Sequence, residues 1–176
     1  CKRTEKRKSS DFLFSFWALG MRKPLAILTF SLLALVSSYV FAQQTVRDKV
    51  EYNIEHFYLD EAISLLEQEE DRAYRHYYFT RITFFKYLAT EDDQYADIFL
   101  QESKTSFDVI ESMSKSDPMR KVLLADLYFE RGVIRFIQGN YITAGNDLQN
   151  ACENVNSNKK NFPSNNEQLK LLGTFH

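Results

Sequence analysis

Apolar residues recur at three- and four-residue steps through most of the chain after residue 45, and this spacing is typical of amphipathic helices. The first segment shows it in Val46, Val50, Ile54 and Phe57. The following segments repeat the spacing, and none has the strict alternation of a half-buried β-strand. The pattern predicts about seven helices, joined by short connections into helical hairpins.

The breaks between the segments carry residues that start helices. Asp60 is suited to cap the second helix, because its carboxylate can accept hydrogen bonds from unpaired backbone N–H groups. Asp117 and Pro118 mark a restart, since proline lacks the N–H that a first helical residue leaves unpaired in any case. We therefore expect a helix over 118–138.

A further helix is predicted over 141–155. The asparagine-rich stretch 154–166 is typical of a loop, and Pro163 within it stops helix propagation. One more helix is expected to begin near Asn166.

The stretch 125–151, "ADLYFERGVIRFIQGNYITAGNDLQNA", has small residues where helices usually carry large ones. Gly132 and Ala144 would let the backbones of two antiparallel helices approach closely. Gly139 lies between the helices, where the chain is expected to adopt a left-handed backbone conformation that only glycine adopts without a steric penalty. Ala151 is expected to leave room for the next helix pair. The volume around the contact is expected to be filled by four large residues, Tyr128, Phe136, Tyr141 and Leu148.

The order of residues over 125–156 resembles a tetratricopeptide repeat, whose signature alternates bulky residues with Gly and Ala at fixed positions. The matching residues, which would pack the repeat, are Tyr128, Gly132, Phe136, Gly139, Tyr141, Ala144, Leu148 and Ala151.

The resemblance has two departures and a weaker upstream copy. Arg135 stands where the repeat prefers an aromatic residue, and Asn156 replaces the closing proline. The segment 77–88 parallels 127–138, with Ile82 in place of the glycine. The upstream helices are therefore expected to sit further apart or to cross differently.

The resemblance implies an all-α fold for residues 43–176, an α-solenoid of antiparallel helix hairpins in a right-handed superhelix. In such repeats the first helices line a concave groove that binds partners. Phe129 and Phe79 would either grip an apolar partner side chain or pack against a neighbouring helix. The groove positions implied for this chain are Asp126, Phe129, Val133, His76, Phe79 and Thr83.

Composition and charge narrow the function classes. Apolar residues make up 44% of the 176, enough for the core of one domain. Only 5 Gly and 3 Pro are present, which disfavours an all-β fold with many turns. Residues 43–176 carry 15 Lys/Arg and 22 Asp/Glu, and this acidic balance disfavours nucleic acid as a partner.

The basic residues are concentrated near the start of the chain. From Met21, a short positive region precedes an apolar stretch that ends at Val40-Phe41-Ala42, the order of a secretory signal peptide. We expect a signal over 21–42 with cleavage after Ala42, and the rival interpretation is an uncleaved membrane anchor. Residues 1–20 precede a complete signal and are interpreted as upstream sequence outside the exported protein.

Candidate chemistry is sparse. His56 and His76 lack the spacing of a metal motif, and the acidic run 67–71 lacks the turn glycine of a calcium loop. Cys152, beside Ala151, is expected to be a small buried residue. We predict no catalytic residues, no metal and no cofactor.

These observations predict an exported scaffold for protein–protein interactions in the bacterial cell envelope, and not an enzyme. The partner is a protein or peptide, self-association is possible, and membrane contact is limited to the signal peptide before cleavage. The alternative is an accessory docking or oligomerisation arm of a longer enzyme whose catalytic domain lies beyond residue 176. The chain is expected to be the N-terminal fragment of a longer protein.

Overall fold

The computed structural model describes residues 45–164, which are helical and contain no strand. The all-α prediction is therefore confirmed for this part of the chain. The predicted helix from Asn166, the signal at 21–42 and residues 1–20 lie outside the described residues. Helix α1 spans 45–55. The other helices are α2 (Leu59–Leu66), α3 (Arg72–Thr90), α4 (Asp93–Glu111), α5 (Arg120–Ile137) and α6 (Tyr141–Asn161).

Consecutive long helices run antiparallel, as their side-chain contacts show. Between α5 and α6, Arg131 pairs with Asp147, whereas an earlier residue of α5, Lys121, donates a hydrogen bond to a later residue of α6, Ser157. Between α3 and α4 the same reversal is given by two contacts, Thr80 with Ser106 and Phe84 with Phe99.

The alternate helices α1, α3 and α5 run parallel to one another. Contacts between them advance in the same direction along both members of each pair, so the C-terminal ends of all three helices lie at one edge of the described fold. For α1 and α3 the contacts are Arg47 with Tyr74 and Glu51 with Arg81; for α3 and α5 they are Tyr77 with Asp126 and Arg81 with Glu130.

The apolar core has two parts. The larger cluster draws buried residues from α1 to α5, and Ile54, Ile82 and Leu127 within it are fully buried. The smaller cluster is centred on Phe84 and Phe99 and connects α3, α4 and α5. Because most helices contribute to the larger cluster, it holds the hairpins together.

The α5–α6 hairpin is closely packed around Gly132. A Cβ atom added to Gly132 would lie 3.1 Å from the Leu148 side chain and 3.3 Å from the carbonyl oxygen of Ala144. Gly139, in the connection, has a φ of +80°. The small residues therefore stand where the two helices touch and where the chain reverses.

Two of the large residues expected around this contact lie elsewhere. Phe136 and Tyr141 are 59% and 64% exposed, and their ring centroids are 5.2 Å apart. They flank the connection beyond the last buried turn of the hairpin, where none of the helices between residues 45 and 164 covers them. The expectation that they fill the interior is wrong.

Helix α6 extends to Asn161, six residues beyond the predicted end at 155. The low helix propensity of asparagine is offset by packing, because Val155 and Asn158 are buried. The hydrogen bond from Lys121 to Ser157 also ties these turns to the start of α5. The predicted loop over 154–166 is therefore corrected in its first half.

Two further expectations are wrong. Asp60 does not cap α2: Tyr58 holds the cap position, and the Asp60 carboxylate instead pairs with Lys86 at 2.7 Å. Cys152 is exposed although Ala151 is fully buried, because successive helical residues point about 100° apart.

We expect Gly132→Val to lower the free energy of unfolding by about 1–3 kcal/mol, because its side chain would overlap Leu148 and the Ala144 carbonyl. The matched control is Gly145→Ala, since a Cβ at Gly145 meets nothing within 4 Å. This control should gain about 0.5–1 kcal/mol from helix propensity. Urea denaturation followed by circular dichroism measures both. A Gly132→Val protein as stable as the wild type would contradict the close contact.

Candidate functional site

The groove positions implied by the repeat lie on α3 and α5, and several of them are enclosed. Asp126 and Thr83 are buried, and the Thr83 hydroxyl donates to the carbonyl oxygen of Thr80 at 2.6 Å. Phe79 is half-buried and packs against the larger core cluster. These three positions therefore contribute to internal packing.

The other three positions are half-buried. His76 faces α4, where its Nδ1 atom lies 3.8 Å from the carboxylate of Glu102. Val133 packs against the smaller core cluster, and Phe129 is half-buried on α5. Of the six predicted residues, two are therefore buried and four are half-buried, and none is fully exposed.

Asp126 instead belongs to a polar cluster centred on Arg81, which we call the charge seam: Glu51, Tyr77, Arg81, Asp126 and Glu130. Arg81 Nη1 donates to Glu51 at 2.8 Å and to the Tyr77 hydroxyl at 3.0 Å. Its Nε atom lies 3.4 Å from Asp126 and 3.3 Å from Glu130. The Tyr77 hydroxyl donates to Asp126 at 2.5 Å. The charge seam thus connects α1, α3 and α5.

The charge seam contains more acid than base. Three carboxyl groups surround a single guanidinium, and the Glu130 side chain is only 3% exposed. One Glu130 oxygen, Oε2, is buried without a hydrogen-bond partner among the described residues. A buried carboxylate lacking full compensation is costly, which favours a proton on this group.

Burial raises the pKa of Glu130 well above its usual value, and the negative charge of Asp126 adds to the effect, while Arg81 opposes it. Burial also raises the pKa of Glu51, again against the influence of Arg81. The pKa of the Tyr77 phenol is raised by burial as well. Burial therefore shifts the balance at Glu130 from the ionised toward the neutral carboxyl group.

Four members of the charge seam are not among the sequence-predicted site residues: Glu51, Tyr77, Arg81 and Glu130. A weak signal for one of them exists in α5, where Asp126 and Glu130 are one helical turn apart inside an otherwise apolar run. Their partners lie on other helices, so the spacing alone does not identify them.

Two further ion clusters have packing roles. Glu69 is buried and accepts two hydrogen bonds from Arg47, whose guanidinium also lies 3.5 Å from the ring centroid of Tyr74. Asp147 is buried and accepts hydrogen bonds from Arg131 and Arg135 across the α5–α6 hairpin. Arg135, which replaces the aromatic residue of the repeat signature, therefore pairs with Asp147 in this chain.

The second candidate surface is the edge where α1, α3 and α5 end, which we call the turn edge: residues 52–61, 86–93 and 136–142. Phe57 contacts Phe85 there, with ring centroids 5.8 Å apart. Every exposed large apolar residue in the described part of the chain lies on this edge. They are Tyr52, Phe57, Tyr58, Leu88, Phe136, Ile137, Tyr141 and Ile142.

Other kinds of site find no support between residues 45 and 164. No group of three or more His, Cys, Asp or Glu side chains there is placed to hold a metal ion. None of the helices in this range is long and apolar enough to span a bilayer. Comparison of the chain with known protein families, with curated proteins and with solved structures found no match.

We expect Glu130→Gln to stabilise the protein increasingly, relative to the wild type, as pH rises above the pKa of an unfolded glutamate, about 4.3. A carboxyl group whose folded pKa is raised contributes stability that is complete below its unfolded pKa of about 4.3 and is lost as pH rises through the folded pKa. The loss approaches about 1.4 kcal/mol per pH unit while one proton is retained by the folded state alone. Glutamine carries no charge and avoids this loss.

Urea denaturation at several pH values measures the difference between Glu130→Gln and the wild type. The control is Glu61→Gln, since Glu61 is exposed, and its curve should run parallel to that of the wild type. A gap between Glu130→Gln and the wild type that stays constant with pH would show that Glu130 is ionised in the folded protein.

Proposed function

We propose that this chain is an exported, non-enzymatic α-solenoid of tetratricopeptide-like hairpins that binds protein or peptide partners in the bacterial cell envelope. Support for the architecture comes from the parallel course of α1, α3 and α5 and from the antiparallel partners between them. In a helical-repeat stack each hairpin contacts its neighbours in this order. The Gly132–Leu148 contact supports the repeat-like pairing of α5 with α6.

Export is proposed from the signal-like segment 21–42. It would place residues from Gln43 onward in the periplasm or elsewhere in the envelope. Sequencing the N-terminus of the protein recovered from its native cells tests this part of the proposal, and an intact N-terminus before Met21 would contradict it.

The observation that carries the binding function is the turn edge. Its exposed aromatic and aliphatic side chains come from the turn ends of three separate hairpins, and exposed apolar patches of this kind mark interaction sites. The groove face predicted from the repeat signature exposes less side-chain surface to a partner, because Asp126 and Thr83 are buried and Phe79 packs against the larger core cluster. We therefore assign partner binding chiefly to the turn edge.

A selection from a random peptide display library against the full chain tests the function. We expect enriched peptides that bind the wild type and lose at least about tenfold in affinity with Tyr141→Ser/Ile142→Ser, because apolar contacts at an interface centre dominate binding. Both residues are exposed, so circular dichroism should show unchanged folding.

The comparison variant is Phe129→Ser, on the predicted groove face. Loss of binding in this variant alone, with folding intact, would move the site to the groove. Failure to enrich any peptide over an empty support would contradict the binding function itself.

A further inference from the structure

We propose that the turn edge binds a protein segment whose apolar side chains are flanked by lysine or arginine. The inference rests on the proposed binding function and names the chemistry of the partner. It is carried by two properties of the same edge, the exposed apolar groups and the charges between them.

The apolar groups form two patches. At the α1–α2 turn, the His56 ring stacks on Tyr52 with centroids 4.0 Å apart and lies 6.2 Å from the ring of Tyr58. At the α5–α6 turn, Phe136 meets Tyr141 edge to face, and Ile142 beside them is 82% exposed. Exposed rings held by neighbouring rings keep their positions, so the patches are preformed for apolar side chains.

The charges of the turn edge are almost all negative. Six acidic residues lie within its three segments, all exposed, and Lys86 is the single Lys or Arg there. The Lys86 ammonium is 2.7 Å from the Asp60 carboxylate, so one of the acids already has a cation. The acidic residues are Glu55, Asp60, Glu61, Glu91, Asp92 and Asp93.

This charge balance selects one occupant. A second copy joined edge to edge would bring acidic residues against acidic residues, and like charges across an interface cost binding energy. A membrane surface carrying anionic lipids would be repelled for the same reason. A segment with apolar residues and flanking Lys or Arg can pack its apolar side chains against the exposed rings and pair its cations with the carboxylates.

The probe is a labelled amphipathic peptide of about 14 residues, with Leu and Phe on one helical face and Lys on the other. Its counterpart has Glu in place of every Lys. Fluorescence anisotropy with the full chain should show binding of the lysine peptide at least about tenfold tighter than the glutamate peptide, and this preference should shrink as salt is raised.

A matched pair of charge reversals separates the turn edge from general attraction to an acidic protein. Glu61→Lys/Glu91→Lys changes the turn edge, whereas Asp108→Lys/Glu111→Lys makes the same change in net charge at the opposite end of α4. All four residues are exposed. We expect the first pair to weaken binding of the lysine peptide about tenfold and the second to leave it nearly unchanged.

Equal weakening by both reversals would overturn the inference, because it would show attraction without a site. Concentration-dependent dimerisation that Tyr141→Ser abolishes would favour a second copy, and binding to phosphatidylglycerol vesicles that Tyr141→Ser abolishes would favour a membrane surface; either result overturns it. Display-selected peptides that bind the turn edge but lack basic residues would also overturn it, while leaving the proposed binding function intact.

Discussion

The relative placement of the helices depends on a single guanidinium. Arg81, in the middle of α3, is held by Glu51 on one side and by Asp126 and Glu130 on the other. The apolar core supplies most of the packing free energy, but the hydrophobic effect itself is non-directional, whereas an ion pair requires two particular side chains to meet. The charge seam fixes their register, and that register brings the three connections to the same edge.

Several features could be predicted from the sequence because they are local. The α5–α6 hairpin can be predicted from one continuous stretch of sequence. Gly132 and Ala144 stand where its two helices touch, and Gly139 stands where the chain reverses. The spacing of apolar residues likewise predicts the helices. Each of these signals is confined to neighbours one or two turns apart or to one connection.

The charge seam and the end of α6 could not be predicted because their causes lie far apart in the chain. Glu51 and Glu130 meet at Arg81 although 79 positions separate them. The last turns of α6 are rich in asparagine, and their packing through Val155 and Asn158 and the hydrogen bond from Lys121 to Ser157 favour the helix there. The exposure of Tyr141 also depends on which helices cover a connection, and periodicity does not encode this.

The turn edge is assembled from parts of the chain that are remote in sequence, since Tyr52, Leu88 and Tyr141 reach it from the turn ends of three different hairpins. No linear fragment carries the whole surface. The edge therefore exists only while all three hairpins are folded and docked, and opening any one of them divides it. A partner that needs both apolar patches would accordingly distinguish the intact fold from a partly unfolded or truncated chain without contacting its core.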